Sequence, residues 1–185
     1  MASNGQFSGS PRDALHKALP RLYKFALVLA ANEELARALL RASLKVLSAR
    51  NECRDDDDRL TVSLRRMYAL WAAKIAEDPG LHGKFPPDPR IFKGALVKGP
   101  ISGNAHFASF ISKLPSSQRG VLYLVYGEGA SYDEAAEITG VNMLSLMKLL
   151  ARGHLALSHW LDEKGLSEAP ALPGFAPHLE REYAA

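Results

Sequence analysis

The sequence predicts an all-α protein of two small helical domains, and three observations carry that prediction. Apolar residues recur at spacings of three and four through residues 11–78 and again through 105–162. Between these blocks lies a stretch dense in proline and glycine. Within the second block, Ser131 with Glu134 and Gly140 before Asn142 have the spacing of a helix start, a turn and a second helix start.

In the first block, Leu15, Leu19, Leu22, Ala26 and Leu29 fall along one helical face. Pro20 interrupts that run, so a short leading turn followed by a main helix from about Pro20 is expected. Asn32 reads as a break and N-cap for a second helix with the stripe Leu35, Leu39, Ala42 and Val46, packed antiparallel on the first. The charged segment around Cys53 reads as a loop, with Asp58 capping a third helix whose stripe is Leu60, Leu64, Met67, Trp71 and Ile75. Its adjacent aspartates are read as solvated and placed favourably at a helix start, because an oxygen cage for a metal needs ligands at spaced positions.

Residues 79–104 read as a linker, with room for a helical turn over Arg90 to Lys93. The lysines and arginine of this stretch, Lys84, Arg90, Lys93 and Lys98, suit a phosphate backbone or an acidic channel, although solvation of a linker explains them as well. Beyond the linker, Phe107, Phe110, Ile111 and Leu114 predict a helix. Pro115 opens the next, which carries Val121, Leu122, Leu124 and Val125 into a core and ends near Gly127 or Gly129. Residues 163–185 lack a helical stripe and read as a tail, in which Phe175, Leu179 and Tyr183 have the spacing of one short helix.

Composition excludes several classes of function. With 47% hydrophobic residues in 185, the chain can bury real cores, and its formal charge of +3 permits a nucleic-acid partner without demanding one. A single cysteine, Cys53, forbids an internal disulfide and suits a reducing compartment. The polar start lacks a secretion signal, and no run approaches the ~20 apolar residues of a membrane span, so a cytoplasmic protein with no membrane partner is expected. His16, His82, His106, His154, His159 and His178 have no metal-ligand spacing, and Ser131 lies at a helix start and not at a nucleophile elbow. No enzyme activity, metal or cofactor is expected. Trp71 belongs to the core, and Trp160 is expected to close the second domain or meet the tail.

The most informative segment runs from Gly127 to Asn142. Ser131 and Glu134 have the spacing of a capping box, so a short helix starts at Ser131. Two turns later Gly140 supplies a left-handed turn, and Asn142 caps a longer helix. Short helix, glycine turn and longer helix make a helix-turn-helix. On the longer helix Met143, Leu146, Met147, Leu150, Gly153 and Leu157 fall on one side, and Ser145, Lys148 and Arg152 on the other. Asn142, Ser145, Lys148 and Arg152 are therefore the candidate DNA-binding residues. An ordinary helical hairpin of a bundle fits the same spacing, and Leu144 and Leu149 flank the polar face without any capacity to contact phosphate.

Lys113 to Leu124 and Glu128 to Val141, with their Leu-Pro, Gln-Arg, Glu-Gly-x-Ser-Tyr and Glu-Ala-Ala-Glu-Ile elements, resemble region 4 of the extracytoplasmic-function sigma factors. Leu19 to Leu29 similarly resembles the start of region 2 of that family. The resemblance implies a region 2-like three-helix bundle over 11–78, a linker over 79–104, a region 4-like helix-turn-helix domain over 105–162 and a tail over 163–185. It also implies a subunit that binds core RNA polymerase, with region 2 on the polymerase clamp and the −10 element and region 4 on the −35 element of promoter DNA. An anti-sigma factor is a further implied partner.

This chain departs from the family in specific places. Where the family's second helix carries Asp-Leu-Val-Gln-Glu-Thr, this one carries arginines at Arg37 and Arg41, which with Leu40 form the candidate polymerase- or partner-binding surface. The third helix keeps Arg65, Arg66 and Lys74, but Ala72, Ala73, Ala76 and Glu77 replace a denser basic end. In the recognition helix the family's Gly-Thr-Val-Lys-Ser-Arg-Leu aligns with Leu144 to Leu150, so two donors become Met147 and Leu149. Three readings follow: a divergent sigma factor, a sigma-like decoy that binds an anti-sigma factor without DNA, and a helix-turn-helix regulator that never meets polymerase.

Overall fold

A long first helix, α1 (Pro11–Ala30), passes through Pro20 without interruption. This corrects the expected start near Pro20. The proline removes one intrahelical hydrogen bond to His16, but both residues lie on the exposed side of α1, where water can satisfy the carbonyl left over. The computed structural model describes residues 11–48, 56–81, 87–88 and 105–165. Cys53, the basic residues of the linker, its helical turn over 90–93 and the tail residues Phe175, Leu179 and Tyr183 lie outside the described residues.

Ala31 turns the chain in the left-handed region at φ 52°, and Asn32 caps α2 (Glu33–Ser48) by accepting the Leu35 amide at 3.1 Å. With only two residues between them, α1 and α2 fold back on one another. The buried face of α2 carries Leu35, Ala36, Leu39 and Ser43, and Ala42 is exposed, contrary to the expected stripe. Ser43 tolerates burial because its hydroxyl donates to the Leu40 carbonyl at 2.8 Å. The third helix, α3 (Asp56–Glu77), begins two residues before Asp58, which is therefore its third residue and not its cap. Early carboxylates favour the positive end of the helix dipole. Leu60, Leu64, Met67 and Trp71 are buried as expected, and Ile75 is partly so.

The second set of helices comprises α4 (Ala105–Lys113), α5 (Ser116–Leu122), α6 (Tyr132–Thr139) and α7 (Met143–Glu163). Pro115 is the N-cap of α5 and not its first helical residue: its ψ of 143° is extended, and its carbonyl accepts the Arg119 amide at 3.0 Å. A π-helical turn (Tyr123–Gly127) prolongs α5, with the Glu128 amide bonded to the Tyr123 carbonyl. That turn adds Tyr123 to the core beside Val121, Leu122 and Leu124. Trp160 of α7 stacks on Phe110 of α4 at 5.4 Å and so closes this unit.

The two units pack directly against each other. α1 meets α5, and α3 meets α6. This explains why α1 buries Phe25, Val28 and Ala30 in addition to the expected Leu22, Ala26 and Leu29: one side of the helix faces its own bundle, and the rest faces the second unit. No described helix is long and apolar enough to cross a membrane.

Candidate nucleic-acid interface

The helix-turn-helix is built by local hydrogen bonds legible in the residues themselves. The Ser131 hydroxyl accepts the Glu134 amide at 3.2 Å, and a Glu134 carboxylate oxygen accepts the Ser131 amide at 2.7 Å, which completes the capping box. Those bonds, the backbone amide first, hold the Glu134 carboxyl below its ordinary range. Gly140 ends α6 at φ 70°, where a side chain would meet backbone strain though no neighbouring atom. Asn142 then caps α7 through Oδ1, which accepts the Ser145 amide at 2.8 Å.

The core side of α7 is anchored by Leu146, Leu150 and Ala151, all buried, with Met147 and Leu157 partly buried. Met143, expected on that side, is exposed. It occupies the first turn of α7, and the side chains buried in the core begin only at Leu146. Of the candidate DNA-binding residues, Asn142 and Arg152 are exposed, and Ser145 and Lys148 are partly exposed. They share the outer part of α7 with Leu144, which is 54% exposed. The outer surface thus combines two cations and a cap with uncovered apolar side chains. Asn142 has a structural use of its own, since its side-chain oxygen is committed to the cap.

His154, for which the sequence allows either solvation or packing, is buried against Tyr126 with ring centroids 5.3 Å apart. Burial lowers its pKa to about 4, so it is neutral at ordinary pH. It therefore adds no charge to α7.

The candidate partner surface on α2 is a polar cleft of about 570 Å³ lined by Glu33, Glu34, Arg37, Arg41 and Asp88 among others. Arg37 is not a free cation: its guanidinium donates to Glu33 at 2.5 Å, and the Tyr23 hydroxyl donates to the same carboxylate oxygen at 3.2 Å. Arg41 is exposed and Leu40 is partly buried against the core, so the structure brings the two arginines, but not Leu40, to the cleft.

Sequence reasoning assigns no role to Arg119, which is 1% exposed and lies where the two units meet. Its Nε donates to the Val28 carbonyl and one Nη to the Leu29 carbonyl, each at 2.7 Å, while the other Nη donates to the carbonyls of Ser112 and Leu114. Burial lowers its pKa to about 10, which leaves it charged. Nearby, the Tyr123 hydroxyl donates to Glu128, whose other oxygen accepts from Arg21 Nε at 2.6 Å. Burial first, and then the carboxylate, push the Tyr123 pKa up. On the far side Arg65 donates to the Glu137 carbonyl at 3.0 Å and pairs with its carboxylate at 2.9 Å.

Comparison with known proteins agrees with this geometry. Residues 107–157, which span α4 to most of α7, match the family model described as Sigma-70, region 4. A search of curated proteins gives no match. Among solved structures, the sigma factor RpoE in its co-crystal with the anti-sigma factor NepR from Bartonella quintana is similar, with a TM-score of 0.56 and 20% identity. The likeness covers 82% of this chain and 96% of that one. Residues 107–157 are thus similar to sigma-70 region 4, and the helical fold as a whole is similar to that of the sigma factor in that co-crystal.

Proposed function

We propose that this protein is a divergent sigma factor: a dissociable, non-enzymatic subunit that binds core RNA polymerase and places α7 on promoter DNA. The observation that carries the reading is the helix-turn-helix itself, with capping box, glycine turn and Asn142 cap all formed, inside the segment that matches region 4. On this reading Lys148 and Arg152 contact phosphate or base edges in the major groove, and Asn142 and Ser145 approach the backbone at the helix start. Arg41 and the Arg37–Glu33 pair form the surface offered to polymerase. The residue division read from sequence, 11–78, 79–104, 105–162 and 163–185, is retained as the proposed domain plan.

The test is binding of duplex promoter DNA, with and without core polymerase, across a range of salt. A sigma factor binds specifically only with polymerase, and its affinity falls as salt rises, because each neutralised phosphate releases counterions. Binding insensitive to polymerase would instead identify a free-standing regulator.

A decoy that binds an anti-sigma factor is the second reading, and two observations favour it over a free-standing helix-turn-helix regulator. The similar structure is of a sigma factor held by an anti-sigma factor. The recognition helix here carries Met147 and Leu149 where the family carries two donors, and both pack partly against the core. A decoy captures an anti-sigma factor with promoter DNA absent and never co-elutes with polymerase.

A further inference from the structure

A helix leaves its last carbonyls without intrahelical partners, and these carry the negative end of its dipole. Val28 and Leu29 lie in the last turn of α1; Ser112 and Leu114 lie at and just beyond the end of α4. Arg119 therefore caps two helix ends at once with a single guanidinium, engaging four carbonyls through its fixed fork of donors. One pair of carbonyls belongs to the first unit and one to the second. The bond set crosses the seam between them.

The next residue, Gly120, sits so close to the first unit that a Cβ there would lie 2.9 Å from Leu29 Cδ2 and 3.4 Å from Tyr68 Cε2. At the rim of the seam, Arg21–Glu128 and Arg65–Glu137 pair across it. The Arg65–Glu137 pair is about half exposed on both sides and adds little strength, whereas Glu128 of the other pair is largely covered. The polar hold is thus concentrated in Arg119, a cation whose hydrogen-bond partners are all carbonyls. Apolar contact adjoins it, since Phe25 of the first unit stacks on Tyr123 of the second with ring centroids 5.9 Å apart.

We propose that Arg119 is the latch of a self-closed state in which α3 and α6 cover each other, and that releasing it opens the seam and frees Arg65 from Glu137 for an anionic polymer. The four bonds share one side chain, so they are lost together and opening is abrupt. The inference does not depend on polymerase, which is absent from both readouts below.

The test uses the full chain and three variants, Arg119→Met, Arg119→Lys and Gly120→Leu, with helix content checked by circular dichroism. Arg119→Lys keeps the charge but has no planar fork to span four carbonyls, and Gly120→Leu drives a wedge into the seam while leaving the latch residue in place. In small-angle X-ray scattering each variant that keeps its helix content gives a larger radius of gyration than the parent. Each also binds a fluorescein-labelled oligothymidylate several-fold more tightly, a gain that Arg65→Ala removes. An unchanged radius in the folded variants overturns the latch. Expansion without tighter oligothymidylate binding overturns the release of Arg65. Should Arg119→Met lose helix content, Arg119→Lys decides the latch and Gly120→Leu decides the release of Arg65.

Discussion

The seam between the two units and the outer face of α7 belong to the same few dozen residues, yet they are built on opposite rules. At the seam, Arg119, Glu128, Glu137 and Tyr123 each make hydrogen bonds, and Gly120 lets backbone and side chain come within contact distance. On the outer face of α7, cations and apolar side chains stand uncovered, with Leu144 and Leu155 among the exposed large hydrophobics. A buried polar group must find its partners inside the protein or lose free energy, whereas an exposed one has water and is available to a ligand. The difference separates residues that hold the fold from residues available for recognition.

Substitution tests that separation, beginning with the inner side of α7. Leu146→Ala removes a fully buried side chain and is expected to lower unfolding free energy by about 2–5 kcal/mol in chemical denaturation. A loss below about 1 kcal/mol would mean that α7 is not anchored as described. Gly140→Ala forces a left-handed residue to carry a Cβ and is expected to cost about 1–2 kcal/mol by strain alone, since no neighbouring atom obstructs it. Ser131→Ala breaks the capping box and is expected to cost about 1 kcal/mol.

Acid provides a separate probe of the core beneath the helix-turn-helix. His154 has a folded pKa of about 4 against an ordinary 6.5, so the unfolded chain takes up its proton first. The stability contributed by the neutral, packed ring is whole above pH 6.5, falls as pH drops from 6.5 toward 4 and then levels. Denaturation midpoints of the parent and of His154→Gln, measured through this window, are expected to converge as the pH falls. Parallel curves would place the titration elsewhere.

The smallest effect on stability belongs to the outer face. Lys148→Ala and Arg152→Ala are expected to change unfolding free energy by no more than about 0.5 kcal/mol. In the presence of polymerase, each substitution that removes a phosphate contact is expected to lower the magnitude of the salt slope of promoter binding by roughly 1. If Lys148→Ala or Arg152→Ala destabilised the fold while leaving the salt slope intact, the contrast between seam and face would be erased.

How far sequence reaches is visible in the same two regions. Asn32, Ser131 with Glu134, Gly140 and Asn142 act within their own turns, so their roles as caps and turn residues follow from neighbours three or four positions away. Arg119 reaches carbonyls some ninety residues away, and no local pattern announces that. Its surroundings offer only an arginine followed by glycine before an apolar run, and the close approach of Gly120 is the nearest thing to a signal. Ala42 and Ser43 exchange places for a related reason: a one-residue rotation of a helix face is decided by the helices it meets. Pro20 does not break α1 because the face that loses its hydrogen bond is the wet one. On α2 the arginines are legible, and so is the Arg37–Glu33 pair four residues apart, but the Tyr23 hydroxyl that joins Glu33 from α1 requires the fold.

The proposed function stands or falls on polymerase binding. The direct measurement is co-elution of the purified chain with core RNA polymerase from its own source on a sizing column at micromolar concentration. A stable complex is expected, which Arg41→Glu on the α2 cleft weakens. Separate elution of the folded chain and polymerase would contradict it and leave the decoy reading in its place.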